Sequence, residues 1–185
     1  WDPYIASVNE NTSANIVFDK FHVSKVINEC LDSVRKREFA KASDEERINM
    51  KHKRFLILSR ENHLNKEEKE TLDSLMKKNK ILYQAYLLKE EILNIFSTGT
   101  WNDAVSRIET WIQNVFESRI EDFDKAVNRI KNYFYGIINY FRYRVTNAGS
   151  EGFNTKINVI KRRAYGFRDI EYFRLKILQS CSMKI

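Results

Sequence analysis

The sequence predicts a predominantly helical α/β fold, and three observations carry that expectation. The 185 residues include one proline and five glycines, too few turn formers for an all-β fold. Long stretches repeat apolar residues every three or four positions, as amphipathic helices do. Two short apolar runs, Ile16-Val17-Phe18 and Phe55-Leu56-Ile57-Leu58, flank one such stretch and fit buried strands. Strand, helix and strand make a βαβ unit, with parallel pairing and a right-handed crossover. Two strands alone form a marginal sheet, so further strands or a partner are expected to complete it. A hydrophobic content of 43% with 13% aromatics suffices for a packed core.

Taken in order, residues 2–10 read as a short helix, with Pro3 acceptable in its first turn. Asn11-Thr12-Ser13 is a turn, Ala14 to Phe18 the first strand, and Asp19 its end. Phe21 to Glu38 is a helix with Val23, Val26, Ile27, Cys30, Leu31 and Val34 on its apolar stripe. Lys41 to Lys53 is polar and undecided, and Arg54 to Ser59 is the second strand. Beyond Leu64 only helices are expected. Asn65 with Glu68 resembles a capping box. Ile81 to Phe96 follows, Ser97-Thr98-Gly99-Thr100 breaks the chain, and Trp101 to Glu117 resumes it. Glu121 to Arg144 reads as one long helix. Its aromatics Tyr133, Phe134, Tyr135, Tyr140, Phe141 and Tyr143 suit a core face with a hydrogen-bonded rim, or a stacking surface for bases.

Gly149 should break the chain before Ser150, which can cap a helix running toward Tyr165-Gly166-Phe167. On that helix Glu151, Asn154 or Thr155, Asn158 and Arg162 share a polar face. Phe153, Ile157, Ile160 and Ala164 form the opposite, buried stripe. Gly166 can take a left-handed C-terminal cap, and Asp169 can cap a last helix through about Gln179.

The net charge is +7. Residues 151–185 hold eight Lys/Arg against three Asp/Glu, or +5, whereas residues 1–150 hold 24 against 22, or +2. A basic excess concentrated in the last fifth is the footprint of a polyanion partner, or of a solvated basic surface. Cys30 and Cys181 form no CxxC pair, so two buried thiols in a reducing cytosol are expected. The longest apolar run has four residues, far short of a membrane span, and no signal peptide is visible. A cytoplasmic location is expected. A chain starting at Trp1 rather than methionine is expected to be part of a longer protein.

Two acids stand out. Asp19 ends a buried parallel strand, where open α/β sheets place their ligands, with His22 three residues on. Asp-x-x-His also fits a helix-capping Asp with a surface His. Glu151 is an acid at a helix start, and carboxylates from separate elements suit a hard divalent cation.

Here longer blocks become specific. Ile16-Val17-Phe18-Asp19-Lys20-Phe21-His22-Val23 resembles the block around the second catalytic aspartate of DDE transposases of the insertion-sequence "L-three" family. Residues Thr146 to Asn154, followed by Lys156-Ile157 and Lys161-Arg162-Arg163-Ala164-Tyr165-Gly166-Phe167, resemble the block around its catalytic glutamate. Trp1-Asp2-Pro3-Tyr4-Ile5, Tyr86-Leu87-Leu88-Lys89-Glu90 and Tyr172-Phe173-Arg174-Leu175 match family positions in the same order.

The resemblance implies a partial ribonuclease-H-like core over residues 1–61, with about two parallel strands retained. An all-helical insertion follows over 62–147, and core helices carrying the glutamate over 148–185. It implies catalytic residues Asp19, Glu151 and, with a less defined role, His22. Asp19 and Glu151 would be ligands of two Mg2+ or Mn2+ ions, and Lys156, Lys161, Arg162, Arg163 and Arg168 would meet DNA phosphates. It further implies double-stranded DNA, as transposon ends and target, for a partner, and a bacterial nucleoid setting. The strand edge exposed by the missing strands is expected to be covered by a homodimer or a displaced helix, and no membrane is expected. The first catalytic aspartate matches no residue here, so the chain alone is expected to be inactive. A non-catalytic DNA-binding or dimerisation module, and a helical protein-interaction domain, remain the competing readings.

Overall fold

A computed structural model describes residues 2–146 and 148–181, except for the side chains of Asp2, Tyr4 and Cys181. Trp1 and Asn147, which the family-like blocks include, and the thiol of Cys181 therefore lie outside the described residues. Among the described residues every regular element is helical. In order these are α1 (Asp2–Asn11), α2 (Lys20–Lys41), α3 (Asp44–Met50), α4 (Arg54–Leu58), α5 (Lys66–Lys78), α6 (Lys80–Thr98) and α7 (Trp101–Ser118). Then come α8 (Asp124–Asn132), α9 (Phe134–Tyr143), α10 (Ala148–Arg163) and α11 (Ile170–Cys181), with single 3₁₀ turns at Glu61–His63 and Glu121–Phe123. The chain divides into two compact units, Trp1–Arg144 and Val145–Ile185.

The expected α/β class is overturned, because no strand exists among the described residues. With it go the parallel pair and the partial ribonuclease-H-like core. Both apolar runs found other ways to satisfy their backbones, as buried peptide groups must. Arg54–Leu58 closes into the short helix α4, which buries Ile57 and leaves Phe55 77% exposed. A strand buried on both faces would hide both residues. The segment around Ile16 to Phe18 stays extended but pairs with a helix. Phe18 N–H donates to the Gly136 carbonyl at 3.0 Å, and Asn139 Nδ2 donates to the Ile16 carbonyl at 2.8 Å. The Phe18 ring lies directly over Gly136, where any Cβ would overlap it.

Helix signals were more dependable. Asn65 and Glu68 form the expected capping box, each side chain bonding the other's backbone N–H at 2.9 Å. Gly99 ends α6, and Thr100 with Asp103 starts α7. Residues 41–53, undecided from sequence, hold α3 behind a Ser43–Glu46 capping box. The single helix expected over 121–144 is instead three pieces, broken at Tyr133 with φ −115° and ψ 20°. The break lets α9 turn its Gly136 face to the Phe18 segment.

The core of the first unit is built on the 22-residue α2, which packs against α6, α8 and α4, while α6 packs on α7. Trp111 is fully buried and its indole N–H donates to the Leu88 carbonyl at 2.8 Å. Charges are paired inside this unit. Asp32 is buried and takes Arg35 Nε at 2.8 Å, Arg54 Nε at 3.2 Å and Lys36 Nζ at 3.2 Å. Burial pushes its carboxyl pKa up, but the three cations outweigh burial and hold it down to about 2.

Lys89 is fully buried. Its ammonium donates to the Ser59 and Leu58 carbonyls at the end of α4, where a helix leaves carbonyls unsatisfied and favours a cation. It lies over the Tyr86 ring, 4.2 Å from the centroid, and ion-pairs with Glu90 Oε1 at 2.8 Å without an aligned hydrogen bond. Burial lowers its pKa, against the pull of Glu90, and burial with Glu90 raises that of Tyr86. Arg144 repeats the device, donating from the end of α9 to the Phe96 and Gly99 carbonyls at the end of α6.

The second unit is a pair of helices packed on one another. No described residue in it is buried. Phe167 stacks on Phe173 at 4.7 Å between ring centroids, and Ile157, Ile160 and Ile177 are half-buried. The buried stripe expected on α10 is thus partial, since Phe153 is 47% exposed and Ala164 is exposed.

Candidate functional site

Asp19 is the N-cap of α2. Its backbone is extended, φ −64° and ψ 140°, and Oδ1 accepts the Phe21 N–H at 2.9 Å. The residue is buried, and its own carbonyl accepts the His22 N–H at 3.1 Å. His22 is half-buried one turn on, with its ring edge-on to Phe21. The carboxylate is therefore held in place by the helix it starts, as sequence spacing alone allowed.

Beside this helix start lies a cavity of about 160 Å³. Phe18, Val23, Val26 and Ile137 make its buried floor, and His22, Lys25, Glu29 and Arg129 stand at its polar side. Glu29 pairs with Lys125 at 2.7 Å, and that hydrogen bond lowers its carboxyl pKa, with Lys25 and Arg129 adding to it. Lys125 is raised in turn by Glu29. Arg129 lies over the Tyr133 ring, 5.3 Å from its centroid.

In the second unit Glu151 occupies the exposed first turn of α10, where the helix dipole favours an acid. The helix starts at Ala148, so Gly149 and Ser150 lie inside it rather than breaking or capping it. Lys156, Lys161, Arg162 and Arg163 are all exposed along α10, the last three in its final turn, and Arg168 is exposed beyond it. Cations there complement the dipole. The helix closes with paired bonds, Gly166 N–H to the Lys161 carbonyl and Tyr165 N–H to the Arg162 carbonyl, both 3.0 Å, a Schellman arrangement. Gly166 takes φ +100°, and Tyr165, fully exposed, takes φ +52°. Asp169 caps α11 as expected, accepting the Glu171 N–H at 2.8 Å and the Tyr172 N–H at 3.1 Å.

Asp19 and Glu151 fall in different units. Among the described residues no three His, Cys, Asp or Glu side chains gather so as to hold a metal ion. A divalent cation needs several oxygen ligands around one point, and the residues present do not supply that set. Asp19 in this structure is a helix cap.

The aromatics of α8 and α9 divide between the two expected roles. Tyr140 and Phe141 are core. Tyr135 and Tyr143 form the rim, with the Tyr135 hydroxyl donating to Asn15 Oδ1 at 2.6 Å and Asn15 Nδ2 donating to the Tyr143 hydroxyl at 2.9 Å. Sequence reasoning overlooked the cationic side of the cavity and the buried Lys89. Lys89 was discoverable, because Ala85, Lys89, Ile92 and Phe96 share one helical stripe. Arg129 was not, since the α2 residues that share its cavity, His22, Lys25 and Glu29, lie about a hundred residues away.

Comparison with known proteins adds the family context. The DDE_Tnp_ISL3 family model, described as "Transposase", matches residues 1–177. The chain is 34% identical over 169 residues to the transposase for insertion sequence element IS1001 of Bordetella parapertussis, covering 89% of this chain and 41% of that protein. It is 29% identical over 119 residues to the transposase for insertion sequence element IS1557 of Mycobacterium tuberculosis, covering 64% of this chain and 27% of that protein. The chain thus spans less than half the length of these relatives. No solved structure matches it. Among the described residues no helix is long and apolar enough to cross a membrane.

Proposed function

The chain belongs to the ISL3 family of transposases, and from that premise we propose that it is the DNA-holding portion of an insertion-sequence transposase. The observation that carries this reading is the exposed basic run of α10. Lys156, Lys161, Arg162 and Arg163, with Arg168, neutralise phosphates of double-stranded DNA, transposon end or target. Pairing and packing hold several cations of the first unit, among them Arg35, Arg54 and Lys89, whereas these are exposed to water.

In the longer transposase the chemistry is strand cleavage and strand transfer by phosphoryl transfer. Divalent cations, when bound, would supply an activated nucleophile and stabilise the leaving oxygen. Asp19 and Glu151, one in each unit, are by themselves too few oxygen ligands for such a cation, and among the described residues no fuller set gathers. The 185 residues by themselves therefore bind DNA without cutting it. Leu175 and Leu178, one turn apart on α11 and more than half exposed, favour a second copy as the partner that covers them.

The test is fluorescence anisotropy of the purified chain with a labelled duplex across a salt series. Binding should weaken linearly on a logarithmic plot, by about 0.9 per phosphate neutralised. Replacing Lys156, Lys161, Arg162 and Arg163 by alanine should flatten that slope. An unchanged slope, or binding indifferent to salt, would remove the DNA reading. Magnesium-dependent nicking by the chain alone, abolished in Asp19→Ala, would remove the claim that its carboxylates are insufficient. Sedimentation of a concentration series as a pure monomer would remove the dimer.

A further inference from the structure

The cavity beside the start of α2 has no part in the DNA contacts proposed for α10, although the Glu29–Lys125, Arg129–Tyr133 and Phe18–Tyr133 contacts border it. We infer that it takes a single unstacked nucleotide of a DNA strand, with the base on the apolar floor and the phosphate at the cationic mouth.

Three observations combine here. Its volume, about 160 Å³, lies below the about 300 Å³ at which pockets for drug-sized molecules begin. That size admits one planar ring system and little more. The floor is a set of buried hydrocarbon side chains and the Phe18 ring, with the Tyr133 ring beside it, and every nucleobase offers a π-face to such a surface.

The mouth is unbalanced in charge. Lys25, Arg129 and the adjacent Lys125 face one acid, Glu29, which Lys125 already holds. Leaving His22 out of the count, two cations are in excess, and a guanidinium offers the paired donors that suit a phosphate. Arg129, stacked on Tyr133, bridges the two halves of the site by its position between floor and solvent. A base inside a duplex cannot reach such a floor, so the occupant comes from an opened or single strand.

The inference rests on the DNA reading above, and its test separates the two. The 185-residue chain is titrated with thymidine 5′-monophosphate, thymidine and inorganic phosphate, following the amide resonances of Val23, Val26 and Tyr133. The monophosphate should shift these resonances saturably and bind at least about tenfold more tightly than either half, the worth of one charge-assisted hydrogen bond. Lys25→Ala with Arg129→Ala, both at exposed positions, should lose about tenfold in the same units. Val26→Trp should fill the floor and abolish binding; the rim pair remains decisive if that variant does not fold.

Equal shifts with phosphate alone would reduce the site to an anion patch and overturn the nucleotide. No saturable shift, while salt-dependent duplex binding through α10 persists, would overturn the cavity and leave the DNA reading standing. Saturable nucleotide binding without duplex binding would do the reverse. Loss of self-association in Val26→Trp, with no nucleotide effect in the parent chain, would reassign the cavity to a protein side chain.

Discussion

The two units draw on the same residue types for opposite ends. In Trp1–Arg144, 24 Lys/Arg meet 22 Asp/Glu, and many are locked: Arg35, Arg54 and Lys36 on Asp32, Arg37 on Asp122, Lys89 and Arg144 on the ends of neighbouring helices. In Val145–Ile185, eight cations meet three acids, and the described ion pair there, Arg174 with Glu171, is mostly exposed on both sides. A buried cation in the first unit is a structural part whose removal orphans carbonyls or carboxylates. The exposed cations in the last turn of α10 only complement the end of their own helix, which leaves them available to a polyanion. Charge content alone therefore says little; what a charge touches decides its role.

That contrast can be broken at its strongest point. Lys89→Met keeps the volume but leaves the Leu58 and Ser59 carbonyls without their cation and Glu90 with only the more distant Arg60, at 3.9 Å. Removing one member of a buried pair costs about 3–5 kcal/mol, and denaturant unfolding should register a loss of that order. A change under about 1 kcal/mol would mean that water enters the site and that burial is not what distinguishes the first unit. The matching change in α10, Lys161→Met, should leave stability within about 0.5 kcal/mol, as surface substitutions do.

Glycines sharpen the same comparison. Alanine is favoured over glycine inside a helix by about 1 kcal/mol, yet at Gly136 its Cβ would overlap the Phe18 ring. Gly136→Ala should therefore destabilise, by about 1–3 kcal/mol for overpacking, and release the Phe18 segment to faster hydrogen exchange. A stabilised Gly136→Ala would show that the extended segment does not sit on α9.

Acid should act on the first unit through Asp32. Its folded pKa, about 2, lies below its unfolded value of about 3.9. Its contribution is thus complete above pH 4 and disappears as pH falls toward 2. The shift corresponds to about 2 kcal/mol, read as the difference in acid unfolding between the parent chain and Asp32→Asn. Parallel acid profiles for the two would show that the cations do not hold the carboxylate.

The smallest effect is expected at Gly152 in α10, where a Cβ would meet nothing within 4 Å. Gly152→Ala should stabilise the second unit by about 0.5–1 kcal/mol through propensity alone. Destabilisation there would reveal that this face is covered in the protein as it works.

How much of this was legible follows from where each signal resides. Capping boxes, the Gly99 break and the Asp169 cap were legible because donor and acceptor are two or three residues apart. The family was legible because two blocks and their order match over most of the chain, as the comparisons bear out. The strands were misread because a three- or four-residue apolar run is ambiguous without its pairing partner. The break at Tyr133 was invisible for the same reason, since the Phe18 segment that uses it is remote in sequence.

By itself, then, the sequence determined the longer helices and several of their caps, the basic bias of the last fifth and the family, but not α3, α4, the break at Tyr133 or the start of α10. The tertiary structure decided the rest. Only there does the Ile16–Phe18 backbone find its hydrogen bonds on Gly136 and Asn139, and only there is Asp19 fixed as a cap next to a cavity edged by Arg129. The physical reason is reach. Local signals are written within one helical turn, whereas buried backbone and buried charge are satisfied by whatever the packed chain brings within 3 Å.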